Sequence, residues 1–400
     1  MGRVVVIGAG QAGATLTTKL RALGHGGEIM LLGEEPVAPY QRPPLSKKYL
    51  LGEMPVERLF LKPERAYGEA DITLRLDTRV DAVDTDAREV RLGEERLSYD
   101  DLVFTTGSVV RKLPGSIGGG LGGVFTVRTL ADVDAMAEAF EAGGRVLIVG
   151  GGYIGLEAAA VAAMKGLDTT LIEAEDRILK RVAARETSRY FRKLHLGHGV
   201  DLREGVRLEK LVGEDRVAAA VLSDGSTLEV DFVIAGVGID PAIGLAQNAG
   251  IECDNGIATD ARGRTSAPGV WAAGDCASFP YRGTRIRLES VPNAIDQADV
   301  VAANIMGAGK DYIAKPWFWS DQYDVKLQIA GLNTGYTRVV VRDGGAARSH
   351  WYYRGDILLA VDAMNDPRAY MIGKRLIEAG KSPPAETVED PSADLKALLA

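Results

Sequence analysis

An α/β fold with two doubly wound units and a smaller α+β unit behind them is predicted by three observations. The apolar run Val4-Val5-Val6-Ile7 breaks into a glycine-rich turn at residue 8, a second such turn follows another apolar run at residue 150, and short strands replace this pattern after residue 317. The first turn, Gly8-Ala9-Gly10-Gln11-Ala12-Gly13, is G-x-G-x-x-G between a buried strand and a helix. Gly8 permits the turn, Gly10 lets backbone amides approach a pyrophosphate, and Gly13 lets the helix lie close against the strand. Residues 14–23 have helical apolar spacing, and a second strand ends in Glu34, near the offset of about 20 residues at which an acid holds an adenosine ribose. A Rossmann-like dinucleotide site is therefore expected here.

At 400 residues the chain exceeds the roughly 250–300 at which single cores stop growing, so two or three domains are expected. The formal net charge of −8 argues against nucleic acid or an anionic membrane as partner. Two cysteines, Cys253 and Cys276, form no C-x-x-C, which excludes a sequence-local redox disulfide and a cysteine zinc site and suits a reducing compartment. Four scattered histidines read as surface or structural residues, with no metal centre expected. No stretch approaches the roughly 18 apolar residues of a membrane span, and the glycines at 8, 10 and 13 favour a strand over a signal peptide, so a cytoplasmic location is expected.

Taken in order, residues 35–49 carry four prolines and read as a shaped loop holding two cations, Arg42 and Lys47. Short strands are expected at 72–76, 79–83 and 89–92, and a buried strand from Asp101 ends in Thr105-Thr106-Gly107, where backbone can come close to a ligand. The glycine-heavy segment 114–123 is the first credible boundary. A second strand, 145–149, enters Gly150-Gly151-Gly152-Tyr153-Ile154-Gly155, and after a helix at 156–165 the strand 169–173 ends in Glu173. This is a complete second fingerprint. The Glu173 carboxylate can accept from a ribose 2′-hydroxyl and would repel a 2′-phosphate, which predicts NADH over NADPH, although Arg177, Lys180 and Arg181 stand close by.

Residues 217–222 and 227–230 read as a hairpin, and the strand 231–238 ends in Gly238 as the earlier one ends in Gly107. The strand 270–275 places Asp275 at a carboxyl end, and Pro292 suits the first turn of a helix running to about Met306. From Trp317 onward, strands at 327–330, 337–341, 349–353 and 357–361 precede a helix at 369–379, an α+β pattern. The tail 381–394, rich in Pro, Glu and Asp, is expected to be loosely held.

With both fingerprints, Arg42-Pro43-Pro44-Leu45-Ser46-Lys47, Gly152-Tyr153-Ile154-Gly155-Leu156-Glu157 and Ala272-Ala273-Gly274-Asp275-Cys276, the chain resembles the FAD-dependent, NADH-using ferredoxin reductases of bacterial cytochrome P450 and ring-hydroxylating oxygenase systems, the putidaredoxin reductase-like flavoproteins. The resemblance covers essentially the whole length and implies a glutathione-reductase-like architecture: an FAD-binding domain at 1–112 and 244–318, an NADH-binding domain at 113–243, and a C-terminal α+β domain at 319–400 with its loosely held tail. It implies that the first fingerprint binds FAD and the second NADH. Glu34 would hold the FAD adenosine ribose, Arg42 the phosphate side, Val80 the adenine through its backbone, and Asp275 the ribityl or pyrophosphate region. Lys47, Arg128 and Trp319 would lie near the flavin, with Val291 at its pyrimidine edge, and Glu157 would reach Lys47 as a catalytic pair that orients the nicotinamide.

Residue 46 is Ser where peroxide- and oxygen-reducing relatives carry a redox cysteine, so a two-electron thiol relay is not expected. The expected activity is hydride transfer from NADH to FAD, with electrons passed singly to a [2Fe-2S] ferredoxin that feeds a P450 or Rieske-type oxygenase. Residues 282–354 carry ten Lys or Arg against seven Asp or Glu, a plausible face near the C-terminal domain for an acidic ferredoxin. A monomer is implied. The alternatives are a rubredoxin reductase, an NADH oxidase or monodehydroascorbate-type reductase, and a redox-sensing flavoprotein resembling apoptosis-inducing factor.

Overall fold

The computed structural model describes residues 2–399, and the chain divides into two compact units. The first comprises Met1–Gln41, Val56–Val109 and Ile239–Pro316. Its centre is a five-stranded parallel sheet in the order Val270–Ala272, Asp101–Phe104, Val4–Ile7, Ile29–Leu32, Ile72–Arg75. Strands covered on both faces must be apolar throughout, which is why Val4–Ile7 and Ile29–Leu32 carry no polar residue. One face packs on the helices Gln11–Ala22 and Val291–Ile305 through Leu16, Leu20, Ala298 and Val301. The other packs on Val83, Val90 and Leu97 of the antiparallel sheet Ala82–Asp84, Glu89–Leu92, Glu95–Ser98. Ile7 is in register with both Leu32 and Phe104, so three strands end level, at the edge where open α/β sheets bind ligands.

The second unit comprises Arg42–Pro55, Val110–Gly238 and Trp317–Ala400. It holds a parallel sheet in the order Asp201–Glu204, Asp168–Glu173, Arg145–Val149, Phe232–Ala235, Val124–Phe125. It also holds a five-stranded antiparallel sheet, Trp317–Gln322, Val325–Gly331, Ile357–Met364, Ala347–Arg354, Arg338–Gly344, whose core includes Trp351, Val361 and Leu376 of the helix Pro367–Glu378. These units cut the chain differently from the three ranges expected. Residues 42–55 belong with the second unit, and that unit contains both 110–238 and 317–400.

The tail is also held more firmly than its composition suggests. Arg342 donates to the carbonyl oxygens of Val388, Asp390, Pro391 and Ala393, and Val388 and Leu395 are buried in the core. The expectation of a loosely held tail fails because one remote guanidinium satisfies four of its carbonyls.

Two helices of 13 residues had no counterpart in the sequence reading. Leu130–Ala142 starts from a reciprocal capping box between Thr129 and Asp132. Arg185–Gly197 packs three polar residues, Thr187, Ser188 and His195, into the interior of the second unit. Thr187 Oγ1 donates to Asp362 Oδ2 at 2.7 Å and lies 2.8 Å from His350 Nδ1, while Tyr352 OH also donates to Asp362. Arg348 Nε faces His350 Nε2 at 3.2 Å, so the imidazole carries its proton on Nδ1 and gives it to Thr187. Among the four histidines three are buried, and only His198 is exposed.

Burial pushes His350 down to about 3, helped by Arg348, and His195 down to about 4, while burial pushes Asp362 up to about 6. Both imidazoles are therefore neutral in the fold but take a proton when the chain unfolds below pH 6.5, so their contribution is complete above 6.5 and fades as pH falls toward 4. Asp362 acts in the opposite sense, because its cost is present above about pH 6 and is relieved on acidification. Two groups against one leave a net loss of about 1.4 kcal/mol per pH unit between roughly pH 6 and 4. Urea unfolding at pH 7 and pH 5 should show lower stability at pH 5, with a steeper loss in Asp362→Asn and a shallower one in His350→Gln; equal stability at the two pH values would contradict this assignment.

Candidate functional site

In the first unit the turn after Val4–Ile7 has the geometry of a phosphate cradle. Gly8 has φ +112°, and a Cβ there would lie 2.3 Å from Thr105 O. A Cβ on Gly13 would lie 2.2 Å from Gly8 O, whereas one on Gly10 would meet nothing within 4 Å. No side chain caps the helix Gln11–Ala22 at its start, so its positive end faces open space above Gly10. A dinucleotide pyrophosphate fits a cradle of this kind. Around it, Glu34 is exposed, 3.7 Å from Arg79, and Val80 is buried. Thr106 Oγ1 donates to Ala242 O at 2.7 Å, and Gly107 has φ +69°. Asp275 is half-buried, its carbonyl accepting from Arg287 at 3.2 Å, and Val291 opens the helix whose first turn is capped by the Ser290 hydroxyl.

The second unit repeats the cradle after Arg145–Val149. Gly150 has φ +108°, a Cβ on Gly155 would lie 2.0 Å from Gly150 O, and Gly152 is open and uncapped at the start of the helix Tyr153–Met164. Glu173, at the end of its strand, accepts from the amides of Gly151 at 2.7 Å and Glu175 at 2.8 Å. The carboxylate is thereby fixed at the lip of the glycine-rich turn. Of the neighbouring cations, Arg177 donates to Ser188 Oγ and Lys180 O, and Lys180 pairs with Glu175 and Asp176. Ile154 is exposed, Gly238 has φ +107°, and Tyr153 packs on Phe318 with ring centroids 5.0 Å apart. The Tyr153 hydroxyl is buried with no partner among the described residues.

Arg42, Lys47, Arg128 and Trp319, expected around the same cofactor as the first cradle, belong to the second unit. There Arg42 Nη1 donates to Arg128 O at 2.6 Å, and Trp319 stacks on Trp317 at 5.7 Å. The structure brings Lys47 and Glu157 together. Lys47 Nζ lies 2.9 Å from Glu157 Oε1, and the carboxylate, with a side chain only 1% exposed, also accepts from Ser46 Oγ and Ser320 Oγ, each at 2.7 Å. Neither serine was singled out as a ligand of this carboxylate from sequence. Ser46 stood out only as the residue in place of a thiol, and Ser320 not at all.

Residues 2–298 match the family model described as pyridine nucleotide-disulphide oxidoreductase, and 317–399 match the model described as reductase C-terminal. The chain belongs to the pyridine nucleotide-disulphide oxidoreductase family. It is 45% identical to a ferredoxin–NAD(P)(+) reductase of a Sphingomonas species, over 99% of this chain and 97% of that one. It is 41% identical to the 5,5′-dehydrodivanillate O-demethylase ferredoxin reductase subunit of a Sphingobium species, over 99% of this chain and 98% of the other. The reductase in a crystal structure of the covalent putidaredoxin reductase–putidaredoxin complex superposes with a TM-score of 0.96 at 38% identity, covering 100% of this chain and 98% of that one. This pyridine nucleotide-disulphide oxidoreductase is an FAD- and NAD(H)-using enzyme, and the two open cradles fit two dinucleotides. Its two cysteines are free, and Cys276 is buried.

The two glycine classes separate folding from binding. Gly13→Ala should lower the Tm of the cofactor-free protein by several degrees, because its Cβ has no room. Gly10→Ala should leave that Tm nearly unchanged yet strip the yellow colour, read as the ratio of 450 nm to 280 nm absorbance. Full FAD retention by Gly10→Ala would show that the cradle is not where the pyrophosphate lies.

Proposed function

We propose that the chain is an NADH:ferredoxin reductase that accepts hydride from NADH on FAD and delivers the electrons singly to a [2Fe-2S] ferredoxin serving a P450 or Rieske-type oxygenase. The observation that carries this reading is the Lys47–Glu157 ion pair with Ser46 as its third partner, since the residue that could have been a redox thiol is a hydroxyl committed to the carboxylate. With no thiol there to take two electrons onward, they leave one at a time to a soluble carrier.

Bound FAD supplies the acceptance of a hydride and the release of its electrons in single steps. The first cradle holds its pyrophosphate on the open amides beside Gly10, and Glu34 holds its ribose. The second cradle takes NADH on the open face of Gly152. Glu173, fixed by two amides, is placed to accept from a ribose 2′-hydroxyl and to repel a 2′-phosphate. Arg177 and Lys180 are already engaged with protein groups, which removes two of the three cations that could have favoured NADPH. Lys47, held by Glu157, orients the reacting rings, where separations of about 3–3.5 Å are needed. The balance is one NADH and two oxidised ferredoxins giving NAD⁺, two reduced ferredoxins and one proton.

An acidic ferredoxin docks near the C-terminal strands in this reading. Of the cations counted there, Lys326 and Arg354 are exposed, as is Arg338 although it lies 3.7 Å from Glu386, whereas Arg342 is taken up by the tail and Arg348 pairs with Asp343. No helix among the described residues is long and apolar enough to cross a membrane.

NADH-driven cytochrome c reduction should be stimulated strongly by a cognate [2Fe-2S] ferredoxin, with NADH at least about tenfold ahead of NADPH in kcat/KM. Ferredoxin-independent consumption of NADH and oxygen at a comparable rate would identify an oxidase instead. Lys47→Ala should retain FAD yet be reduced by NADH more slowly in anaerobic stopped-flow at 450 nm; reduction at the wild-type rate would remove the role assigned to the pair.

A further inference from the structure

Glu157 is not the end of its hydrogen-bond network. Gln322 Nε2 lies 3.1 Å from Ser320 Oγ, Gln322 Oε1 lies 2.9 Å from His195 Nε2, and His195 Nδ1 lies 3.2 Å from Tyr323 OH. Ser320 and Gln322 alternate on one face of the strand Trp317–Gln322, and His195 sits in the last turn of the helix Arg185–Gly197. Ser320, Gln322 and His195 are all at 0% exposure. The chain reaches the surface at half-buried Tyr323, on which exposed His198 stacks with ring centroids 3.7 Å apart.

The direction of every bond is set from the carboxylate end. An ion-paired carboxylate only accepts, so the single Ser320 proton points at Glu157. Ser320 must then accept from Gln322, which turns the amide oxygen toward His195. That oxygen requires a proton on His195 Nε2, which leaves Nδ1 bare to accept from Tyr323. Four donors in one sense polarise one another. An amide in the middle passes orientation but has no proton to relay without changing its bonding, so this is not a proton path.

We propose that Ser320, Gln322 and His195 are positioning residues that hold the Glu157 carboxylate, and through it the Lys47 ammonium, in one orientation. This rests on the role given to the Lys47–Glu157 pair above. Buried serine, glutamine and histidine that merely satisfied one another would need no common direction and no carboxylate at the end.

The test uses FAD-loaded protein labelled with ¹⁵N-histidine, in which only four imidazoles contribute. His195 should show a protonated Nε2 and a bare Nδ1. Ser320→Ala should change that pattern at a distance, retain FAD, and slow NADH reduction of the flavin about tenfold, while Ser320→Thr, which keeps the hydroxyl, should recover to within about twofold. A Ser320→Ala protein with a lower Tm but wild-type His195 nitrogens and a wild-type reduction rate would overturn the inference and leave a packing role. If Lys47→Ala and Glu157→Gln are slow while Ser320→Ala and Tyr323→Phe are not, the chain fails and the pair stands. Wild-type rates in Lys47→Ala and Glu157→Gln overturn the pair, and this inference with it.

Discussion

A carboxylate removed from water is tolerated only when donors replace the water, and Glu157 is the position where that constraint organises the second unit. Burying a charge without partners costs several kcal/mol, whereas a lysine and two hydroxyls at 2.7–2.9 Å replace most of its hydration. Those donors come from two separate stretches of chain: Ser46 and Lys47 from the proline-rich loop, and Ser320 from the first strand of the antiparallel sheet. The loop is therefore part of this unit although its sequence neighbours are not. The helix carrying Glu157 is alanine-rich, which lets loop and strand approach it closely. Tyr153, one turn earlier on the same face, is the point where the second dinucleotide cradle meets this polar cluster.

Local requirements were the ones legible in the sequence. Gly8, Gly13, Gly150 and Gly155 are demanded by turns and close approaches that involve residues a few positions away or the adjacent strand, so a short pattern announces them. The buried parallel strands were legible for the same reason, since coverage on both faces forces continuous apolar runs. Glu173 was readable from its offset alone, although its two amide partners were not.

What escaped was long-range. Ser46 and Ser320 lie 111 and 163 residues from the carboxylate they share, and Arg342 is 46 to 51 residues from the carbonyls it gathers. No period or spacing encodes such meetings. The helix Arg185–Gly197 was missed because it is polar over most of its length and has no side-chain cap, and with it went the meaning of Thr187 and His195. Leu130–Ala142 also escaped, although Thr129 and Asp132 carry its start signal only three residues apart. In the segment 317–322 the aromatic residue drew the functional reading, while Ser320 and Gln322, two apart on a strand and therefore on one face, carried the contact to the carboxylate.

Residue 46 connects the chemistry to the architecture. A thiol there would be a poorer donor to a carboxylate than a hydroxyl, since S–H bonds are long and weak. A chain using the position for a redox thiol would have to let that sulfur leave the carboxylate at each turnover. With serine, none of the three donors to Glu157 is redox-active, so none has to leave the carboxylate to carry electrons. The same holds further along, where an amide separates Ser320 from His195 and keeps a titratable ring from exchanging protons with the pair. Burial holds that ring well below its usual range, so its neutral form, the one that donates from one nitrogen and accepts at the other, persists across the physiological interval. A fixed pair beside a dinucleotide cradle suits an enzyme whose protein must hold geometry still while its cofactor does the redox chemistry.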